Sequence, residues 1–202
     1  MSASHPQATV GFRPIADIED RCDDGVMTYR QIAAAAAMCA SLGLGCAPAP
    51  ATLDRLIGFA DPQNCEPNEA FGALLNGLVA HELTGEGYTP VLKTPLVPAE
   101  FRDRVGTPEL KIDGREYRAT LPLRGTWQGL TLRSVAVVGW IESEQGFELS
   151  FDADRATVLA TVNGLGLGIP PSGSEYREGD VMGLNVGVSE HEGGSTLHCI
   201  PG

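Results

Sequence analysis

Long apolar runs and positive charge are both scarce in this sequence. A membrane-spanning helix needs roughly 18 to 20 apolar residues, and no uncharged apolar run reaches that length. Lys and Arg together number 14 against 26 Asp and Glu, so the net charge is −12 and the pI is about 4.6. Because so negative a surface repels phosphate groups, we expect no direct binding to nucleic acid or to an anionic membrane.

Catalytic motifs are also missing. The sequence has no Gly-x-Ser-x-Gly nucleophile elbow and no Walker loop. His81-Glu82 resembles the start of a zincin motif, but Gly85 stands where the second histidine ligand must be. The glycine-rich run 164–168 follows a predicted helix instead of opening one, which favours a connector over a phosphate loop. We therefore predict no catalytic residue and no cofactor.

The segment 27–51 has the features of an export signal. Arg30 is followed by an uncharged, mostly apolar run through Gly45, as in the n-region and h-region of a secretory signal. Residues 46–51 then supply two overlapping Ala-x-Ala cleavage sites. We predict a signal peptide over 27–51 and a periplasmic or secreted mature protein.

Residues 1–26 do not fit that interpretation. They are rich in acidic side chains and would make a poor n-region. We interpret them as a non-native or disordered leader, with translation starting at Met27 or at Val26.

Two other interpretations of this region stay open. Thr28 and Gln31 form a capping-box pattern ahead of the alanines, which favours an alanine-rich helix packed in a cytosolic fold. Cys46 follows a glycine, so the segment also allows a lipoprotein with lipid attached at Cys46.

The cysteines give an independent prediction. Of the five in the sequence, only Cys65 and Cys199 remain after cleavage at Ala49 or Ala51. An even number in an oxidising compartment favours pairing, so we predict a Cys65–Cys199 disulfide. Two buried free thiols are the alternative.

Residues 52–202 predict one α+β domain, in which N-terminal helices lead into an antiparallel β-sheet of about six strands with one inserted helix. Thr52 can cap a first short helix, stopped by Asp61-Pro62. Asn68 can cap a second helix, whose apolar residues recur at helical spacing as far as Leu83. Asp152 or Asp154 can cap the inserted helix, which ends at Asn163-Gly164.

Two hairpins are predicted from their turns. Asp113-Gly114 indicates a tight turn that sets Lys111 opposite Glu116, with charged residues on one face and apolar residues on the other. Gly193-Gly194 indicates a turn between strands 181–189 and 195–200.

The last hairpin carries the strongest candidate metal site. With Gly193-Gly194 as the turn, His191 and His198 occupy diagonal positions about 7 Å apart on one face and would have to lean together to share a zinc. Cys199 points to the other face, which excludes a catalytic Cys-His pair.

A binding groove, if one exists, is expected beside Trp127, where Arg124 and Gln128 add polar groups to an aromatic ring. Packing in the core or at a sheet edge is the other interpretation of Trp127 and Trp140.

Three functional hypotheses follow. The leading one is a non-catalytic, exported accessory domain that binds an envelope protein or a small ligand. The second is an envelope hydrolase or metal-dependent enzyme that uses His191 and His198. The third is a cytosolic acidic inhibitor or nucleic-acid mimic, which requires residues 1–51 to be retained.

Overall fold

The described chain is mostly antiparallel β-sheet. A computed structural model describes residues 52–202 except 86, 142 and 180–182. The main sheet has seven strands in the order β5-β6-β7-β8-β11-β10-β9, one more than the sequence predicted, and two pairs, β1-β2 and β3-β4, stand outside it. In chain order the strands are β1 (Phe59–Asp61), β2 (Glu66–Pro67), β3 (Val79–Thr84), β4 (Gly87–Leu92), β5 (Glu109–Asp113), β6 (Glu116–Trp127), β7 (Leu130–Trp140), β8 (Gln145–Phe151), β9 (Ser174–Arg177), β10 (Leu184–His191) and β11 (Gly194–Pro201).

Two α-helices occur in the described part of the chain. Helix α1 (Glu69–Asn76) begins where the side-chain oxygen of Asn68 accepts a hydrogen bond from the backbone N–H of Phe71 at 2.9 Å. Helix α2 (Arg155–Gly164) begins in the same way at Asp154, which is one of the two caps predicted for it. A six-residue 3₁₀ segment, Ala99–Arg104, precedes β5. Neither α-helix has the length and apolarity needed to cross a bilayer.

The N-terminal helices differ from the prediction. The segment after Thr52 forms a turn that buries Leu53 and Leu56 and then enters β1, so no first helix forms there. The second predicted helix ends at Asn76, and the chain continues as β3 after Gly77. Apolar residues near this boundary fit helical spacing and strand alternation equally, which explains the overextended prediction.

Both predicted hairpins form, each with its turn one residue away from the predicted place. In the first, Gly114 (φ +61°) and Arg115 occupy the turn, which sets Lys111 opposite Arg118 instead of Glu116. In the second, the turn is Glu192-Gly193 rather than Gly193-Gly194. Each turn contains a glycine with a positive φ. Gly114 is the first of the two turn residues in its hairpin, and Gly193 is the second in the other. The faces of all four strands are nevertheless as predicted, because the change moves pairing by an even number of residues.

The hydrophobic core lies on one face of the main sheet. Its sheet residues all point to this side, among them Leu121, Val137, Leu149 and Leu197. Both helices pack their buried residues into the same cluster. The opposite face therefore carries no helix of the described chain.

A disulfide joins the start of the described chain to its last strand. The sulfurs of Cys65 and Cys199 are bonded, with the Cα atoms 6.1 Å apart, which is the predicted pairing. Such a bond is compatible with an oxidising compartment outside the cytoplasm. The predicted leader 1–26, the predicted signal peptide 27–51 and Cys46 lie outside the described residues.

Candidate functional site

A row of residues crosses the centre of the main-sheet face opposite the core, and two of them, Glu148 and His198, have polar side chains. Strand pairing places Ala136, Glu148, His198 and Gly187 side by side on β7, β8, β11 and β10. We call this side the open face. Its residues include Glu109, Lys111, Asp113, Glu116, Arg118, Ala136, Val138, Trp140, Glu148, Ser150, Gly187, Thr196, His198 and Ile200.

Glu148 is held at the centre of the open face by Arg118. One guanidinium nitrogen of Arg118 donates to Glu148 Oε1 at 2.8 Å and the other donates to Oε2, so the contact is bidentate. Glu148 is only 8% exposed. The Arg118 side chain reaches it across β7, over Ala136 and Val138, and so fixes the carboxylate in one orientation.

His198 lies directly across from Glu148 on the neighbouring strand. A Cβ atom added to Gly187 would lie 2.7 Å from His198 Nε2, so the imidazole occupies the space above that glycine. Burial lowers the pKa of His198 below its ordinary value of 6.5, and the negative charge of Glu148 offsets part of this effect. Burial therefore favours the neutral form of the ring.

A cavity of about 290 Å³ opens on the same face beside Arg118. Val138 and Ile200 supply apolar surface, and Trp140 supplies an indole ring that is 39% exposed. The indole Nε1–H donates to Glu116 Oε1 at 3.2 Å, which keeps a carboxylate beside the ring. The complete lining is Lys111, Asp113, Glu116, Tyr117, Arg118, Val138, Gly139, Trp140, Glu148 and Ile200.

Charges of the same sign face each other across β5 and β6 at this cavity. Lys111 is directly opposite Arg118, and Asp113 is directly opposite Glu116. Directly opposed like charges destabilise a sheet unless other groups compensate them. Glu148 compensates Arg118, whereas Lys111, Asp113 and Glu116 form no ion pair within the described chain.

The arrangement is suited to holding a ligand. Ser150 and Thr196 share a hydrogen bond of 3.1 Å near the central row, but no described hydroxyl hydrogen bonds to His198. A hydroxyl nucleophile activated by this histidine is therefore not assembled among the described residues. The cavity instead combines apolar lining residues with an indole ring and charged side chains at its edge. This combination is common in sites that bind small molecules.

The predicted histidine pair is not brought together. His191 pairs with Gly194 and His198 pairs with Gly187, so four residues separate the two positions along the hairpin. At about 3.3 Å per residue this is about 13 Å, too far for a shared metal ion. No cluster of metal-ligating side chains occurs among the described residues. The one-residue displacement of the turn accounts for the difference from the predicted spacing.

Trp127, Arg124 and Gln128 do not surround an exposed ring. Trp127 is 1% exposed, stacks on Phe151 with ring centroids 5.6 Å apart, and donates from Nε1 to the carbonyl of Ile57. Gln128 occupies the β6–β7 turn with φ +49°, and its backbone N–H donates to Asp54. Arg124 is exposed on β6. Trp127 thus packs in the core, the other interpretation of its sequence context.

Sequence reasoning missed the Arg118, Glu148 and Trp140 arrangement. The alternation of polar and apolar residues along the strand does predict that Glu148 lies on its polar face. Arg118, however, reaches Glu148 across an intervening strand. That contact depends on the order of the strands in the sheet, which the alternation of polar and apolar residues within one strand does not predict.

A second cavity of about 450 Å³ lies between α1 and β8, next to the Cys65–Cys199 disulfide. Its lining includes Glu144 and Leu184, which are close in sequence to 142 and 180–182, outside the described residues. The open-face cavity, by contrast, is lined wholly by strand residues of the main sheet.

Comparison of the chain with protein-family models, curated proteins and solved structures gave no match.

Proposed function

We propose that this protein acts outside the cytoplasm as a non-catalytic domain that binds a small molecule on the open face. The observation that carries the proposal is the cavity in which the half-exposed ring of Trp140 meets the charges of Lys111, Arg118 and Glu116. Exposed indole rings beside fixed charges combine apolar contact with orientation of a polar ligand.

Rigidity of the site supports this proposal. The lining residues come from neighbouring strands of one sheet, and the Arg118–Glu148 and Trp140–Glu116 contacts restrict four of the side chains. A ligand therefore meets side chains that are already ordered, which reduces the entropy lost on binding.

Action outside the cytoplasm is supported by two features. The signal-like segment 27–51 would direct export, and the Cys65–Cys199 bond is of a kind that persists in oxidising compartments. The mature domain would then begin near Thr52.

Binding can be tested by NMR, because the two tryptophans are in different environments. Each indole N–H gives its own signal, and the variant Trp140→Phe assigns them. The full chain is titrated with glucose, pentylamine, pentanoate and 5-aminopentanoate. We expect at least one compound to shift the Trp140 signal with saturation while the signal of the buried Trp127 stays in place.

The proposal is wrong if none of these compounds shifts the Trp140 signal. It is equally wrong if Trp127 responds in place of Trp140, since binding would then involve the core side of the sheet.

Export is tested separately by the mass of the native protein, measured with and without reductant. Cleavage after Ala49 or Ala51 and a gain of two hydrogens on reduction are expected. A native chain that still begins at Met1 would contradict export and favour the cytosolic hypothesis.

A further inference from the structure

The open-face cavity presents charges of opposite sign in two neighbouring rows. The acidic row contains Asp113, Glu116 and Trp140, which lie directly opposite one another on β5, β6 and β7. The basic row, two residues away along each strand, contains Lys111 and Arg118 together with Val138. Each row therefore has one sign of charge and one apolar side chain.

Each row has a deficit of opposite charge that a ligand can supply. Glu148 neutralises Arg118, but Lys111 forms no ion pair within the described chain. Neither Asp113 nor Glu116 forms an ion pair with a base there. Because directly opposed like charges repel, an ammonium group at the acidic row and a carboxylate at the basic row would both be stabilising.

The indole ring of Trp140 adds a contact that favours a cation over an anion. An ammonium or quaternary ammonium group is attracted to the face of an indole, and the carboxylate of Glu116 is fixed beside that ring by a 3.2 Å hydrogen bond. A carboxylate ligand, by contrast, matches the guanidinium and ammonium donors of the basic row.

The spacing of the rows sets the length of the ligand. Two residues along a strand span about 6.6 Å. A link of a few methylene groups covers that distance, and it would lie over Val138 and Ile200 in the cavity of about 290 Å³.

We propose that the cavity binds small zwitterions, with the amine at the acidic row and the carboxylate at the basic row. This inference rests on the proposed function, because it assigns a ligand class to the same site.

The test compares three compounds of similar length. In 5-aminopentanoate four methylene groups separate an amine from a carboxylate, whereas pentylamine and pentanoate each carry only one of the two charges. Titration of the full chain, followed through the Trp140 indole signal, should show 5-aminopentanoate binding about tenfold more tightly than either single-charge compound.

Two variants assign the charges to the rows. Lys111→Gln should lower the affinity for 5-aminopentanoate to that for pentylamine and leave pentylamine binding unchanged. Asp113→Asn should lower the affinity for 5-aminopentanoate to that for pentanoate. Both side chains are exposed, so the fold should tolerate the changes.

Matched controls come from the same chain. Lys93→Gln replaces the sequence's other lysine, which does not line the cavity. Glu109→Gln changes a carboxylate on the same strand and face as Asp113, also outside the cavity lining. Neither control should change the affinity for 5-aminopentanoate.

The zwitterion inference is overturned if pentylamine or pentanoate binds as tightly as 5-aminopentanoate, or if glucose alone shifts the Trp140 signal. Binding on the open face would stand in both cases. The absence of any Trp140 response to all four compounds would instead refute the proposed function itself.

Discussion

Glu148 has the lowest exposure of any charged residue in the described chain, at 8%. Burying a carboxylate is costly unless it is paired, and the two donors of Arg118 supply the pairing. Arg118 itself is about half exposed, so water can solvate it when its partner is removed.

Replacement of this carboxylate should therefore have a moderate effect on stability. We expect Glu148→Ala to lower the free energy of unfolding by about 1 to 2 kcal/mol, because a bidentate contact is lost but no charge is left buried. Urea denaturation measures the change. Glu109→Ala, an exposed carboxylate on the same face, is the control, and an equal loss in both variants would contradict the assignment.

His198 should make stability depend on pH. Burial keeps its folded-state pKa below 6.5, so the unfolded chain binds the proton more readily. The free energy of unfolding is then fully retained above about pH 6.5 and decreases as the pH falls from there towards the folded-state pKa. The lowered pKa values of Asp61 and Asp154 act in a separate window, below 3.8, where their stabilising contributions are lost on acidification.

The measurement is the free energy of unfolding between about pH 5 and pH 8. His198→Gln should flatten the decrease on the acidic side, and His191→Gln, at an exposed position of the same hairpin, is the matched control. If the free energy of unfolding of His198→Gln depends on pH in the same way as that of the unmodified chain, another group is responsible for the decrease at acidic pH.

Helix α1 shows how local capping fixes the start of an element. The side-chain oxygen of Asn68 satisfies the N–H of Phe71, one of the donors without a partner inside the helix. We expect Asn68→Ala to lower the free energy of unfolding by about 1 kcal/mol and Asn68→Asp to retain most of it. Thermal or urea denaturation measures both variants, and an unchanged free energy of unfolding in Asn68→Ala would mean that the cap contributes nothing.

Sequence patterns predicted the beginnings of elements better than their ends and their pairing. Asn68 and Asp154 are N-caps as predicted, because a cap depends on only a few neighbouring residues. The second helix was predicted too long, since Leu78 in the turn after the helix and Val79 in the following strand are both buried without helix. The type of turn sets the register of a hairpin. The glycine in each turn could be recognised from the sequence, but whether it occupies the first or the second central position of the turn could not.

At the scale of the whole molecule, the candidate site depends on strand order. Strands β8 and β11 are neighbours in the sheet although β9 and β10 lie between them in sequence. Glu148 and His198 meet only through this non-local pairing. The alternation of residues predicted the polar face of each strand. It did not predict that Arg118, Glu148 and His198 lie close together.

The disulfide should contribute much of the stability of the described chain. Cys65 and Cys199 are separated by 134 residues. In the chain-entropy treatment a loop of that length stabilises by about 5 kcal/mol, because it restricts the unfolded state. We expect a reductant to lower the urea midpoint of the unmodified chain and to have no effect on a Cys65→Ser, Cys199→Ser double variant. If the reductant leaves the urea midpoint of the unmodified chain unchanged, the prediction is wrong.

The same bond closes a covalent ring that contains the chain from Cys65 to Cys199. A protease that nicks the exposed β3–β4 tip at Gly85 would cut inside this ring, so both fragments would stay attached to each other. Gel electrophoresis should then show one band of intact mass without reductant and two smaller bands with it. A single cut would leave the strands that form the cavity in place, which would be an advantage to the protein if it is exported as proposed.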